Sequence, residues 1–224
     1  LLTSGDYSLP ERRRLVVVAV LFLASALFWS VFEQAGSTLN LFADRSTNTQ
    51  VFGRPFPSSW FQSLNSLFIF MLAPVFAWLW VKLASRQQEP SSPAKFVFGL
   101  VFVGLGFLVL VVAARLSEQG VQVSPLWLTA TYLLHTIGEL TISPVGLSAM
   151  TRLAPSRIAG LVMGVWFLGT SVGNFIGGRA AGFYESMALP GLFAPRLRDE
   201  QRGLAREQRQ HVESALGELG RRAG

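Results

Sequence analysis

The 224-residue sequence is 50% apolar, only 14% of its residues are charged, and its mean hydropathy is +0.42. A soluble domain carries roughly a quarter charged residues, so an ordinary cytosolic globule does not fit, and disorder is excluded by the same numbers. Cysteine is absent, which removes a disulfide framework, a thiolate metal site and a cysteine nucleophile.

The net charge is +6, from 19 Lys+Arg against 13 Asp+Glu. Such a balance fits nucleic acid, an anionic membrane surface or basic loops on the inner side of a bilayer, and position decides among them. Residues 1–14 read as a cytoplasmic lead-in that ends on Arg12, Arg13 and Arg14. Leu15 to Phe32 then holds no charge, the signal for a membrane-spanning helix rather than a signal peptide. A chain beginning at Leu1 instead of Met is expected to be a fragment or a processed piece.

Five apolar segments follow one another: residues 15–42, 60–83, 96–114, 126–150 and 158–184. Each is long enough for a hydrocarbon core of about 30 Å. Pro74 and Pro144 lie inside spans, where neighbouring helices can satisfy the freed carbonyls. Polar connections run over residues 44–59, 86–95, 117–125 and 152–157.

With the N-terminus inside, inner segments hold Arg12, Arg13, Arg14, Lys82, Arg86, Lys95, Arg152 and Arg157. Outer loops hold only Arg45, Arg54 and Arg115. The bias supports that orientation. Residues 190–224 form a polar, Arg-, Glu- and Gln-rich tail, which after five spans should lie outside although it is basic. The fold class expected is therefore all-α, a polytopic membrane protein with five transmembrane helices and a soluble tail.

Ionisable residues in a span are functional candidates by default. On the first segment Trp29, Glu33, Ser37 and Asn40 are spaced 4, 4 and 3, which at 3.6 residues per turn predicts one face, flanked by Gln34 and Gly36. That face reads as a water-filled cavity or proton site, or else as a polar packing seam. On the fourth segment Thr131, His135, Glu139 and Ser143 repeat every four residues, with Pro144 next. A carboxylate there is suited to loading and releasing a proton, whereas His135 reads more simply as a structural hydrogen-bonding group.

Asn65 on the second segment, with donor and acceptor, suits a zwitterionic or amide ligand or helix packing. On the fifth segment Trp166, Thr170 and Asn174 share a face, with Trp166 expected to line a pocket. Gly169, Gly173 and Gly177 read as a close packing surface. Metalloprotease, hydrolase-elbow and phosphate-loop patterns are lacking, so no enzyme and no metal site are expected.

Four stretches together resemble the proton-dependent oligopeptide transporters (POT/PTR) of the major facilitator superfamily. FWSVFEQAGSTLNLFADRST (residues 28–47) resembles their seventh helix and FQSLNSLFIFMLAPVFAWLW (61–80) their eighth. GELTISPVGLSAMTRLAP (138–155) is similar to the tenth, and MGVWFLGTSVGNFIGG (163–178) to the eleventh. The order and spacing match over about residues 12–189. The resemblance implies a C-terminal major-facilitator bundle, residues 15–189, in the inner membrane, importing di- and tripeptides with protons by alternating access.

It implies Glu33 as a proton site, with Glu139 a second. Asn65 and Glu139 would bind the peptide's amino terminus, with Ser143 beside them. Trp166 would line the pocket, with Trp29 a weaker contact, and Asp44 would gate the outer end. Peptide, lipid bilayer and a six-helix N-terminal half absent from this sequence are the partners expected. Neither nucleic acid nor any cofactor beyond the proton is expected. A related solute, or a non-transporting membrane fragment, is the alternative. The twelfth helix of the pattern is missing, and a frameshift after Leu192 is one expected cause.

Overall fold

The computed structural model describes residues 8–192 other than Phe52, Gln119 and Val121, with side chains as far as Gly182 except at Val51. Helix α1 (Leu9–Phe32) opens on a capping box. The Glu11 backbone N–H donates to Ser8 Oγ at 3.5 Å, and the Ser8 N–H donates to Glu11 Oε2 at 2.9 Å. Each bond satisfies a donor that the helix start leaves without a carbonyl. Pro10 sits in the first turn, where a missing N–H is harmless. The Glu11 carboxylate also meets Arg157 at 3.6 Å, which ties this helix start to the turn before the last helix.

The single segment expected over residues 15–42 is broken. A 3-10 turn, Glu33–Gly36, follows α1, and a second helix, α2 (Thr38–Ser46), resumes beyond it. Ser37 leaves helical geometry at φ −121°, ψ −89°. Backbone groups freed at such depth must find partners, because lipid offers none. Gln34 bonds on both sides of the break and to the last helix. Its Nε2 donates to the carbonyls of Ser30 (3.2 Å) and Gly177 (2.8 Å), and its Oε1 accepts from Thr38 Oγ1 (2.7 Å) and Ser37 Oγ (3.4 Å). The Tyr132 hydroxyl donates to the Ala35 carbonyl at 3.3 Å. The break also corrects the expected face: Trp29, Glu33, Ser37 and Asn40 do not form one stripe of a continuous helix.

Past α2 the chain pairs with a distant loop. The Asn48 N–H donates to the Val123 carbonyl and the Val123 N–H to the Ser46 carbonyl, both at 2.9 Å. Strands β1 (Gln50–Val51) and β2 (Arg54–Pro55) then make an antiparallel hairpin where an irregular loop was expected. Gly53 turns it at φ +75°, a conformation that glycine adopts without strain. The long helices are α3 (Trp60–Ser85), α4 (Ser92–Ser117), α5 (Leu126–Leu153) and α6 (Ala159–Leu192).

Leu9–Ser46, Trp60–Ser85, Ser92–Ser117 and Ser156–Gly182 are long and apolar enough to cross a membrane. The 28-residue α5 has the length, but its threonines, His135, Glu139 and Ser143 dilute its apolarity. The chain is an all-α polytopic membrane protein. Beyond Leu192 the expected tail lies outside the described residues.

Lipid tails are as apolar as leucine, so helices associate in a bilayer through close packing and polar contacts. Small residues set that packing here. A Cβ at Gly138 would stand 2.8 Å from the Gly99 carbonyl oxygen, so α4 and α5 meet almost backbone to backbone. On α6, the glycine series faces α1: a Cβ at Gly173 would stand 2.6 Å from the Ala26 carbonyl oxygen and 2.7 Å from Trp29 Cβ. Backbone cannot step aside, so Gly173→Val is expected to cost about 1–3 kcal/mol. Thermal unfolding of the purified protein in detergent should show a lower Tm, and an unchanged Tm would contradict this packing.

Two apolar clusters lie at different levels. One joins Leu15, Leu21 and Phe28 of α1 to Phe96, Val103, Ile142, Met150 and Trp166. The other joins Leu39 and Phe42 of α2 to Phe61, Leu110, Leu128 and Tyr132. Along α5 the residues between them are 133–141, and along the first segment they are those of the broken turn. At the far end of α3, Lys95 is 4% exposed, pairs with Glu89 and lies 4.2 Å over the Trp80 ring. This stem-and-charge contact staples α3 to α4 across their connecting loop.

Candidate functional site

Glu139 projects from α5 between the two apolar clusters. Asn65 reaches it from α3, its Nδ2 donating to Glu139 Oε2 at 2.9 Å. The same Nδ2 donates to Thr136 Oγ1 at 3.1 Å, and Thr136 Oγ1 donates in turn to the Tyr132 carbonyl at 2.8 Å. Asn65 and Glu139 are half-buried, while Thr136 is fully enclosed. Glu33, exposed at the start of the broken turn, is close enough for its charge to act on Glu139. A partly enclosed acidic pair with one amide beside it attracts a cation or holds a proton.

The structure brings Asn65 and Glu139 together from separate stretches of sequence, with Glu33 of a third within reach of Glu139 by charge. Asn65 and Glu139 are bonded directly, so the two residues expected to share a ligand share a hydrogen bond. Ser143 lies one turn beyond Glu139, and its buried Oγ has no hydrogen-bond partner among the described residues. The same is true of Trp29 Nε1, whose indole stacks edge-on to Phe28 (5.4 Å) and Phe32 (5.3 Å). Asp44 stands apart, exposed near the end of α2.

Trp166 is also apart from this cluster. Its six-membered ring fills the slot over Gly146, and it meets Phe96 edge-on at 6.0 Å with 5% exposure. A pocket-lining role requires the indole to leave that slot.

The expected common face of Thr131, His135, Glu139 and Ser143 does not hold. Steps of four residues advance a helix by about 400°, so the row drifts about 40° each time. Thr131 accordingly sits against α4, its hydroxyl shared between the Gly106 carbonyl of that helix (3.2 Å) and the Trp127 carbonyl of its own (3.0 Å). His135, 1% exposed, lies against Gly106 and between Phe107 (5.1 Å) and Phe32 (6.1 Å). Only further along does the row turn toward α3. The residue the sequence reading missed is Thr136, which stands three positions before Glu139 and therefore beside it.

The bundle, its broken first span and its inward polar cluster define a polytopic membrane protein built on helix packing. The POT family model matches residues 7–192, and the chain belongs to that family. It is 47% identical to the peptide transporter YePEPT of Yersinia enterocolitica over 84% of this chain and 38% of that relative. An uncharacterised transporter of Bacillus subtilis, YclF, is 40% identical over 83% of this chain and 37% of its own length. A crystal structure of a peptide transporter POT in complex with sulfate superposes with TM-score 0.76 at 44% identity, covering 82% of this chain and 37% of that one. The chain thus spans less than two fifths of the length of the relatives it matches.

Proposed function

We propose that this chain forms the C-terminal bundle of a proton-coupled di- and tripeptide symporter of the cell's inner membrane. It works by alternating access with a six-helix N-terminal bundle that this sequence does not contain. The observation that carries the reading is the Asn65–Glu139 pair at 2.9 Å with Glu33 near it. A peptide's amino terminus is an ammonium with three donors. A carboxylate and an amide oxygen match it in charge and in hydrogen-bond polarity. Family membership supports the cargo class, since YePEPT and the dipeptide and tripeptide permease A of Escherichia coli are named for peptides.

In this reading Glu33 takes the coupling proton and Glu139 joins it in the cycle. Asn65 and Glu139 hold the amino terminus, with Trp29, Ser143 and, once out of its slot, Trp166 around the peptide. Asp44 contributes to closing the outer end. No cofactor beyond the proton is involved, and the N-terminus lies on the cytoplasmic side, as the positive-inside bias supports. The proton drives import only if it binds the inward- and outward-facing states with different affinity.

The test is uptake of labelled dialanine into liposomes holding this bundle together with its N-terminal partner bundle, with an inward proton gradient. Accumulation that collapses when the gradient is dissipated is expected. Uptake indifferent to the gradient, or absent, would overturn the reading.

A further inference from the structure

An asparagine amide offers a donor on one side and an acceptor on the other, and its neighbours decide which faces where. At Asn65 that decision is legible. Thr136 Oγ1 lies 2.8 Å from the carbonyl of Tyr132, four residues earlier on the same helix. A carbonyl can only accept, so the single hydroxyl hydrogen of Thr136 is committed to it, in the back-bond common for threonine in helices. Toward Asn65, Thr136 therefore presents lone pairs only. The Asn65 atom 3.1 Å away must be the donor, Nδ2. The amide oxygen, Oδ1, is then left with no partner among the described residues and is not one of the buried polar atoms.

We propose that Thr136 is a positioning residue that sets the hydrogen-bond polarity of this site. It holds Asn65 so that Oδ1 faces the ligand and the site selects a donor group, a free ammonium, over an acceptor such as an N-acyl carbonyl. Glu139 enforces the same orientation only while it is a carboxylate, since a protonated carboxyl can donate to Oδ1 and turn the amide round. Thr136 accepts from Asn65 in either state of Glu139. The threonine is enclosed, touches no ligand itself and acts through Asn65 alone. The inference rests on the proposed peptide reading and adds to it the residue that sets discrimination.

The experiment compares dialanine with N-acetyl-dialanine, uptake of the first and inhibition by the second, with this bundle and its N-terminal partner bundle reconstituted together in liposomes. Thr136→Val keeps the shape and removes the acceptor. It is expected to raise KM for dialanine about tenfold, the scale of one charge-assisted hydrogen bond, with kcat little changed. The preference for the free amino terminus should narrow by a similar factor. Thr136→Ser, which retains the hydroxyl, should restore both. On an Asn65→Leu background Thr136→Val should have no further effect, because its only route of action is gone.

If Thr136→Val does not yield folded protein, Thr136→Ala replaces it with the same expectations. An unchanged preference in a folded variant overturns the proposal. So does equal loss in the serine variant, or a fall in kcat with KM unaltered. Wild-type protein that ignores dialanine would remove the peptide reading itself, and the inference with it.

Discussion

In the complete protein, this bundle with its N-terminal partner, Glu33→Gln is expected to abolish uphill accumulation of dipeptide and to spare one-for-one exchange of peptide across the membrane. A gradient of one pH unit is worth about 1.4 kcal/mol per proton, which supports about tenfold accumulation for one proton per peptide. A glutamine at position 33 keeps the size and polarity of the side chain but carries no exchangeable charge. The accumulation ratio should therefore fall to one whatever the gradient. Exchange needs the loaded carrier to reorient, not the proton to be released, so it should continue. The position supports this assignment, for Glu33 opens the broken turn where α1 gives way to α2, is exposed, and acts electrostatically on Glu139. Gradient-driven accumulation that survives Glu33→Gln would move the coupling proton elsewhere.

Glu139→Ala should show its effect in affinity. The substitution removes the acceptor that Asn65 Nδ2 meets at 2.9 Å and the negative charge facing the ligand's ammonium. Hydrogen bonds to charged groups contribute about 1.5–3 kcal/mol. KM for dialanine is thus expected to rise about 10- to 100-fold. A neutral ligand that lacks the ammonium should be affected far less. Asn65→Ala in combination with Glu139→Ala should lose less than the sum of the two single changes, because the residues share one interaction. Measured KM values for the four proteins of the cycle check this, and strict additivity would mean that the pair does not act as a unit.

The long helices were legible because uncharged runs between polar loops respond to a single physical demand, the exclusion of water from the bilayer. Glu33, Asn65 and Glu139 were legible for the same reason, as polar exceptions within those runs. Two things were less visible. The break after Phe32 is accompanied by a bond from Gln34 to Gly177, which is 143 positions away, and a local periodicity carries no such information. The direction of each side chain on α5 was misread because a four-residue repeat is not the helical period, and the drift sends Thr131 to α4 and Glu139 to α3. Trp166 was expected in a pocket from its depth in the span. Its slot exists because Gly146 has no side chain, a relation between two helices that neither segment shows alone. The capping box at Ser8 and Glu11 could have been read from its spacing of three, and so could the pairing of Thr136 with Glu139.

The most direct measurement follows protons and peptide together. Liposomes holding this bundle with its N-terminal partner bundle and an internal pH-sensitive dye are given dialanine on the outside with no initial pH gradient and the membrane potential clamped inside-negative. The expected result is an internal acidification that begins with dialanine addition, scales with peptide uptake and is absent with Glu33→Gln. Peptide entering at the same rate with no acidification would contradict the proposal that this bundle couples the two.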